Sequence, residues 1–550
     1  MSDRGVTDRP HLLASGAAAA PAPRGEPRPW WESRPFVAAM ILIAFVPLLY
    51  PPLPPLVDLL GHMGRYRVEL DLANSPDLQR YYSFQWQLIG NLGVDLLVYP
   101  LAKLVGLELA VKLIVMTIPP LTVAGFLWVA REVHNRLPPT VLFALPFAFG
   151  HPFLFGFVNY ALAMAFAFLA FGLWLRLGRL GKTGLRAILF VPISFVVFIT
   201  HTFGWGTLGL LAFSAEAVRQ HDRGIGWWQS AIRAGFHAAV MVGPLLLVLM
   251  WRSGVSQGTG DWMNVQAKLL WLVMALRDRW QLLDMISVAI ALTMLVFAWR
   301  RRELTLSRNL AFSGLVLFAF FLILPRIIFG SAYADMRLVP FVIATALLGI
   351  RFTDATNPQL ARNLALIGLS FYFARIALTT ASLAIASNNQ TARLAALDHV
   401  PRGARLVHLV SVECASVWAL PRNTHVGAMA IVRRNAYSND QWAVEGTNLL
   451  SVHFAEAGRF MADPSQIVRP VKCANAKEFT LAQSLRAIPP GAFDYLWLID
   501  MPPIPKAWVA GWTPVRIARG SVLLKRVDAP LAADAAPRPK IRRTETAIGR

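Results

Sequence analysis

Along most of this chain, hydrophobic stretches alternate with short loops, and every second loop is basic. The apolar stretches run near 36–57, 109–130, 139–151, 155–175, 186–200, 202–218, 232–251, 283–299, 309–329, 337–350 and 363–386. Alternate gaps carry Arg131 and Arg136; Arg176, Arg179, Lys182 and Arg186; Arg219, Arg223 and Arg233; Arg300, Arg301, Arg302 and Arg308; and Arg351 and Arg362. A chain that threads a bilayer repeatedly keeps such loops in the cytoplasm. The remaining loops, with Asp58, His62, His151, His201, Asp335 and Arg337, then share the opposite face, as does everything after residue 390.

A soluble chain of 550 residues would suggest about three or four domains. Here 56% apolar residues, with 18 Trp and 33 Phe, indicate instead a mainly α-helical polytopic membrane protein. A span needs about 20 apolar residues, and several stretches fall short of that, so about eleven spans are expected, within a range of about nine to thirteen. The net charge of +22 does not indicate nucleic acid, because it is spread over loops and tails rather than gathered in one aromatic-rich patch. Topology and anionic lipid headgroups account for it. The two cysteines, Cys414 and Cys473, both fall in the part assigned outside, where an oxidising compartment permits a disulfide.

Residues 1–35, rich in Ala, Pro and Arg, read as a disordered cytoplasmic arm, and the tail from Ala529 reads the same way. The first span ends at Pro51, Pro52, Pro54 and Pro55 without a small-residue cleavage pattern, as an uncleaved anchor would. Residues 58–108 form a long first outer loop in which Asp58, His62, Arg65 and Glu69 recur at helical spacing on one polar face. The stretch 86–105, with Asn91 and Asp95, reads as a helix lying in the membrane interface. Beyond 390, strands are expected at Arg405–Val412, Tyr495–Ile499 and Val515–Arg526, and a helix at Ala476–Ala487. Residues 391–528 therefore read as an exported α/β domain following a transmembrane domain at 36–390.

Candidate chemistry lies at the outer face. At a membrane edge a carboxylate such as Asp58 is partly desolvated, which raises its pKa toward the range of a general base; a solvated helix cap is the plainer alternative. Glu69 and Asp71 could hold a divalent cation such as Mg or Mn on extended backbone, but on a helix they point about 200° apart and pair with Arg65 and Arg67. His62, His151 and His201 sit at outer ends of spans and suit hydroxyl or phosphate contacts, with no metal-ligand spacing among them. Arg326 and Arg337, the latter beside Asp335, present guanidinium groups that suit a lipid-linked phosphate. Arg375 falls within span eleven, where it needs either a partner such as Asp284 or a phosphate reached from the bilayer. Trp418, Trp442 and Trp497 could stack on sugars, although Trp497 sits in an expected core strand.

This arrangement resembles the GT-C class of integral-membrane glycosyltransferases, which has a cytoplasmic N-terminus, a first outer loop bearing a catalytic acid, many spans and often an exported C-terminal domain. The strings that carry the resemblance are Asp58-Leu-Leu-Gly-His-Met-Gly-Arg65, Glu69-Leu-Asp71, Asn91-Leu-Gly-Val-Asp95, Gly156-Phe-Val-Asn159 and Asp335-Met-Arg337. There is no Trp-Trp-Asp block, which argues against the oligosaccharyltransferase branch. The first loop also lacks the adjacent Asp-Glu pair common in mannosyl- and arabinose-transferring relatives, which leaves the catalytic acid open between Asp58 and the Glu69/Asp71 pair.

The resemblance implies a bacterial inner-membrane enzyme that moves sugar from a polyprenyl-phosphate donor to a glycan, lipid or protein acceptor. Asp58 would be the general base, and His62 or His201 would orient the phosphate. Arg65, Arg326, Arg337 and Arg375 would serve the donor phosphate, with metal dependence left open. A secondary transporter would call for internal repeats and midplane charges, and only Arg375 and His237 lie at that depth. A non-catalytic scaffold for envelope polysaccharide is the other alternative.

Overall fold

The computed structural model describes residues 13–14, 29–250, 258–328, 330–353, 355, 357–414, 418–442, 448–473 and 478–527. Most of the expected N-terminal arm and the tail from Ala529 lie outside the described residues. The chain is mainly helical. Its principal helices are α1 (Arg34–Ile43), α2 (Leu59–Asp71), α3 (Gly93–Val105), α4 (Leu107–His134), α5 (Val158–Arg179), α6 (Thr183–Thr200), α7 (Thr202–His221), α8 (Val265–Val273), α9 (Gln281–Arg300), α10 (Arg308–Ile323), α11 (Val339–Leu348) and α12 (Pro358–Leu394).

Among the described residues, five helical stretches are long and apolar enough to cross a membrane: Leu107–His134, Val158–Arg179, Thr183–Thr200, Gln281–Arg300 and Pro358–His399. Shorter apolar helices occupy Arg34–Leu49, Pro139–Phe155, Arg308–Ile323 and Met336–Leu348. Proline sets several of these limits. Within 139–151 the chain forms the tight 3-10 turns Pro139–Phe143 and Leu145–Phe149 rather than one α-helix.

The basic loops gather at one end of the helices, where acidic side chains tie them together. Arg136 pairs with Glu32, Arg176 and Arg179 with Glu132, Arg186 and Arg219 with Glu216, and Arg308 with Asp222. At that same end the strand Leu304–Ser307 pairs antiparallel with Ile350–Phe352, and His134 bonds the Leu348 carbonyl at 2.8 Å. Helix α5, at 22 residues, is long enough to carry Asn159 roughly 30 Å from this end.

At the opposite end lie α2, α3 and the C-terminal sheet. The strands at this end are β1 (Tyr82–Phe84), β2 (Arg405–Ser411), β3 (Tyr437–Ser438), β4 (Leu450–Val452), β5 (Ile467–Val468), β6 (Tyr495–Ile499), β7 (Trp512–Ala518) and β8 (Ser521–Arg526); β1 and β4 pair with each other, and the other six form the sheet. The sheet runs β7-β8-β6-β2-β3, with β5 also on β2. Strand β2 pairs parallel with β3, β5 and β6, and His408 lies opposite Trp497. The expected strand Val515–Arg526 is instead a hairpin, β7 and β8, turning at Gly520 with φ of 70°. Of the expected helix Ala476–Ala487, Leu481–Arg486 is helical behind a Thr480/Gln483 capping box, while 474–477 lie outside the described residues. Trp497 is buried core. Cys414 and Cys473 form a disulfide.

The first loop and the C-terminal part are joined directly. Strand β1 pairs antiparallel with β4, with Ser83 opposite Ser451. Helix α2 lies against the segment 425–442 because its glycines permit close approach. A Cβ on Gly61 would fall 2.6 Å from the Trp442 ring, and one on Gly64 would fall 2.4 Å from the Gln441 amide. The polar face expected on α2 is therefore turned into the protein, with Arg65 and Glu69 buried. Of the stretch 86–105 only α3 is helical. It buries Val94, Asp95 and Val98 and exposes Leu96, Leu97, Tyr99 and Leu104.

Candidate functional site

Asp58 stands at the head of α2 and is held through its backbone. Its N–H donates to the Phe155 carbonyl at 2.9 Å. Gly156, at φ of 101°, turns the chain so tightly there that a Cβ would lie 2.6 Å from the Asp58 nitrogen. The Asp58 carboxylate faces His425, 3.7 Å from Nε2. The other ring nitrogen, Nδ1, lies 2.5 Å from Asp440 and 4.0 Å from Asp463. Asp440 is fixed in turn by the Ala428 N–H at 2.8 Å, and Asp463 by the Gln466 amide. Trp442 covers the group, its ring 4.8 Å from His425 and 4.9 Å from His62.

The electrostatics follow from this crowding. Burial raises the Asp58 pKa to about 7; Asp463 and Asp440 add to the rise, while His425 and Arg337 oppose it. Burial disfavours a charged ring at His425, but the Asp440 carboxylate, helped by Asp463 and Asp58, outweighs it and raises that pKa to about 10. Asp463 is raised chiefly by burial. His62 is lowered, by burial first and then by Arg65 and His425. The surroundings thus favour the neutral ring at His62 and the charged ring at His425, and they raise the Asp58 pKa toward neutrality.

Further residues named from the sequence support this centre. Arg65 pairs with Asp95 at 2.7 Å. Asn159 locks that pair, accepting from the Val94 N–H at 2.6 Å and donating to Asp95 at 3.0 Å and to the Asn91 carbonyl at 2.8 Å. Arg65 therefore positions α2 and is turned to Asp95. Arg337 lies over the Phe157 ring at 4.3 Å and donates to Ser331 and the Ala332 carbonyl, and its buried Nε has no partner. His201 caps α7 by accepting from the Phe203 N–H, with its ring edge-on to Tyr160. His151 is buried against Phe155 and Trp271. Asp335 caps the turn before α11 and pairs with Lys268 at 3.4 Å.

Three further candidates are engaged elsewhere. Of the two alternatives for Arg375 the structure shows the partner: it pairs with Asp284 at 2.7 Å and donates to the Leu276 carbonyl, which satisfies a charge at that depth. Arg326 pairs with Asp261 at 3.2 Å and lies over Tyr333, so it acts on that loop. Glu69 and Asp71 do not converge. The backbone is helical, so Asp71 turns to Arg67 at 2.6 Å while Glu69 is buried toward Arg65 and Asp95.

Among the described residues, the group whose metal-ligand atoms approach one another is His425, Asp440 and Asp463, within 4.8 Å. Such oxygen and imidazole donors suit a divalent ion. As arranged, His425 Nδ1 is engaged by Asp440 at 2.5 Å. Sequence reasoning missed these three residues. Trp442, singled out for sugar stacking, was the nearest signal.

No family model matches this chain, and no curated protein matches it. Among solved structures, the chain is similar to the crystal structure of ArnT from Cupriavidus metallidurans in the apo state, with 13% identity and a TM-score of 0.49, over 92% of this chain and 98% of that one.

Proposed function

We propose that this protein is an integral-membrane glycosyltransferase of the GT-C type, acting on a polyprenyl-phosphate sugar at the extracytoplasmic face of a bacterial inner membrane. The observation that carries this reading is the buried Asp58 carboxylate, facing His425 at 3.7 Å at the junction of the helices and the C-terminal sheet and within the electrostatic influence of Arg337. The basic loops gathered at the other end support a cytoplasmic placement for that end, which puts Asp58 outside.

Asp58 removes the proton of an acceptor hydroxyl as its oxygen attacks the anomeric carbon. The bond from that carbon to the phosphate oxygen breaks, and polyprenyl phosphate leaves with the electron pair, giving inversion. The charge growing on the leaving oxygen is met by Arg337, a buried guanidinium preorganised by Phe157 and Ser331. His425, as imidazolium, holds Asp58 in position. Glycan, lipid or protein acceptors all offer the hydroxyl this step requires.

The test compares envelope glycolipids and polysaccharides by mass spectrometry in a deletion strain carrying either wild type or Asp58→Asn at matched membrane levels. A sugar missing from the deletion and from the Asp58→Asn strain is the expected result. An Asp58→Asn strain that matches wild type removes Asp58 from the mechanism.

A further inference from the structure

The search outside the Asp58–His425 group leads to a second set of polar atoms enclosed by aromatic rings. His151 is only 1% exposed, yet neither ring nitrogen has a partner, and the Nε1 of neighbouring Trp271 has none either. Buried polar atoms in folded proteins are almost always bonded, and each orphan costs about 1–3 kcal/mol. Three on two touching rings point to a group that arrives from outside the chain.

The surroundings are built to hold these rings still. The His151 N–H donates to the Ala275 carbonyl at 3.0 Å, tying it to the end of α8. Within α8, Trp271 follows Lys268 by one turn, and Lys268 binds the Phe321 and Leu324 carbonyls and Asp335. That clamp braces the loop carrying Tyr333, whose φ of 63° is a left-handed conformation rarely adopted by a bulky residue. In that conformation the Tyr333 ring lies 5.8 Å from Trp271 and 5.6 Å from Phe155.

The rings also lead to the centre already described. Phe155 accepts from the Asp58 N–H and lies 5.0 Å from Phe157, on which Arg337 rests. We propose that His151, Trp271 and Tyr333 form the site for the sugar of the lipid-linked donor, beside Arg337 for its phosphate and Asp58 for the incoming acceptor. Apolar ring faces suit the C–H faces of a pyranose, while the imidazole and indole nitrogens suit its hydroxyls. A purely apolar occupant would leave the same three atoms unbonded.

This inference rests on the transferase reading, and its test separates the two. Binding of radiolabelled undecaprenyl phosphate, and of undecaprenyl phosphate bearing glucose, mannose or galactose, is measured on the full-length protein in nanodiscs. Wild type is expected to bind one glycosylated lipid about tenfold tighter than bare lipid phosphate. His151→Phe keeps the stacked ring and removes both nitrogens, and Trp271→Phe removes the indole N–H. Each should abolish the preference while leaving affinity for bare lipid phosphate unchanged.

A preference that survives in both variants, its absence from wild type, or an equal loss of both affinities overturns the sugar site and leaves the transferase reading standing. Wild type that binds no lipid phosphate overturns both.

Discussion

Glu69 is a carboxyl buried with neither oxygen bonded, and its cost is readable as pH dependence. Burial, then the nearby Asp95, raise its pKa from 4.5 to about 8, against the opposing pull of Arg65. The folded state therefore keeps a proton that the unfolded chain releases. Stability falls as pH rises through the window from 4.5 to about 8 and levels off above it. Glu69→Gln should melt at the wild-type temperature at pH 4 and at a higher one at pH 9, as a thermal scan in detergent would read; equal melting at pH 9 would show that Glu69 ionises freely. At this scale the sequence marked Asp58, His62 and Arg337 through their place at span ends. It could not mark His425 or Asp440, because a Ser-Asn-Asp-Gln run at 438–441 reads as a solvated turn until packing buries all four side chains.

At the scale of elements, the site depends on close backbone approach rather than on side chains alone. Gly156→Ala would place a methyl 2.6 Å from the Asp58 nitrogen, and the φ of 101° would cost about 1–3 kcal/mol in itself. Because the obstacle is backbone, α2 must move, and Asp58 moves with it. Transfer should fall at least tenfold with the protein still inserted, measured as product formed per inserted molecule. Activity within twofold of wild type would mean that α2 tolerates the shift. The glycines of α2 show the same limit of legibility. Their spacing is plain in Gly61-His-Met-Gly64, but only the opposing Trp442 and Gln441 show which surface they admit. Strands β2 and β6 were legible because continuous aliphatic runs mark buried strands. The β7–β8 hairpin was hidden, since its turn is marked by a single glycine.

For the whole molecule, the decisive question is what holds the C-terminal sheet in register with the helices, since Asp58 comes from one and His425 from the other. The joint is a buried ionic cluster. Arg422 pairs with Asp278 at 2.5 Å, and Asp278 also accepts from Ser382 of α12. Trp418 and Arg375 both bind Asp284 of α9, each at 2.7 Å, and Gln390 holds the Arg422 carbonyl. Alternating charge and hydropathy marked the long apolar helices, and depth in a span pointed Arg375 to Asp284, but they could not foretell the Arg422–Asp278 pair, whose partners lie 144 residues apart. Removing one partner of such a pair strands the other and costs about 3–5 kcal/mol, whereas replacing both with apolar side chains is often neutral. Arg422→Met should therefore lower the melting temperature by several degrees and abolish transfer, because His425 lies one turn beyond it. Asp278→Leu combined with Arg422→Met should recover most of the melting temperature, and the return of transfer in the double variant would show that the joint supplies register rather than charge. A double variant as unstable as the single one would mean that the ion pair itself holds the two parts together.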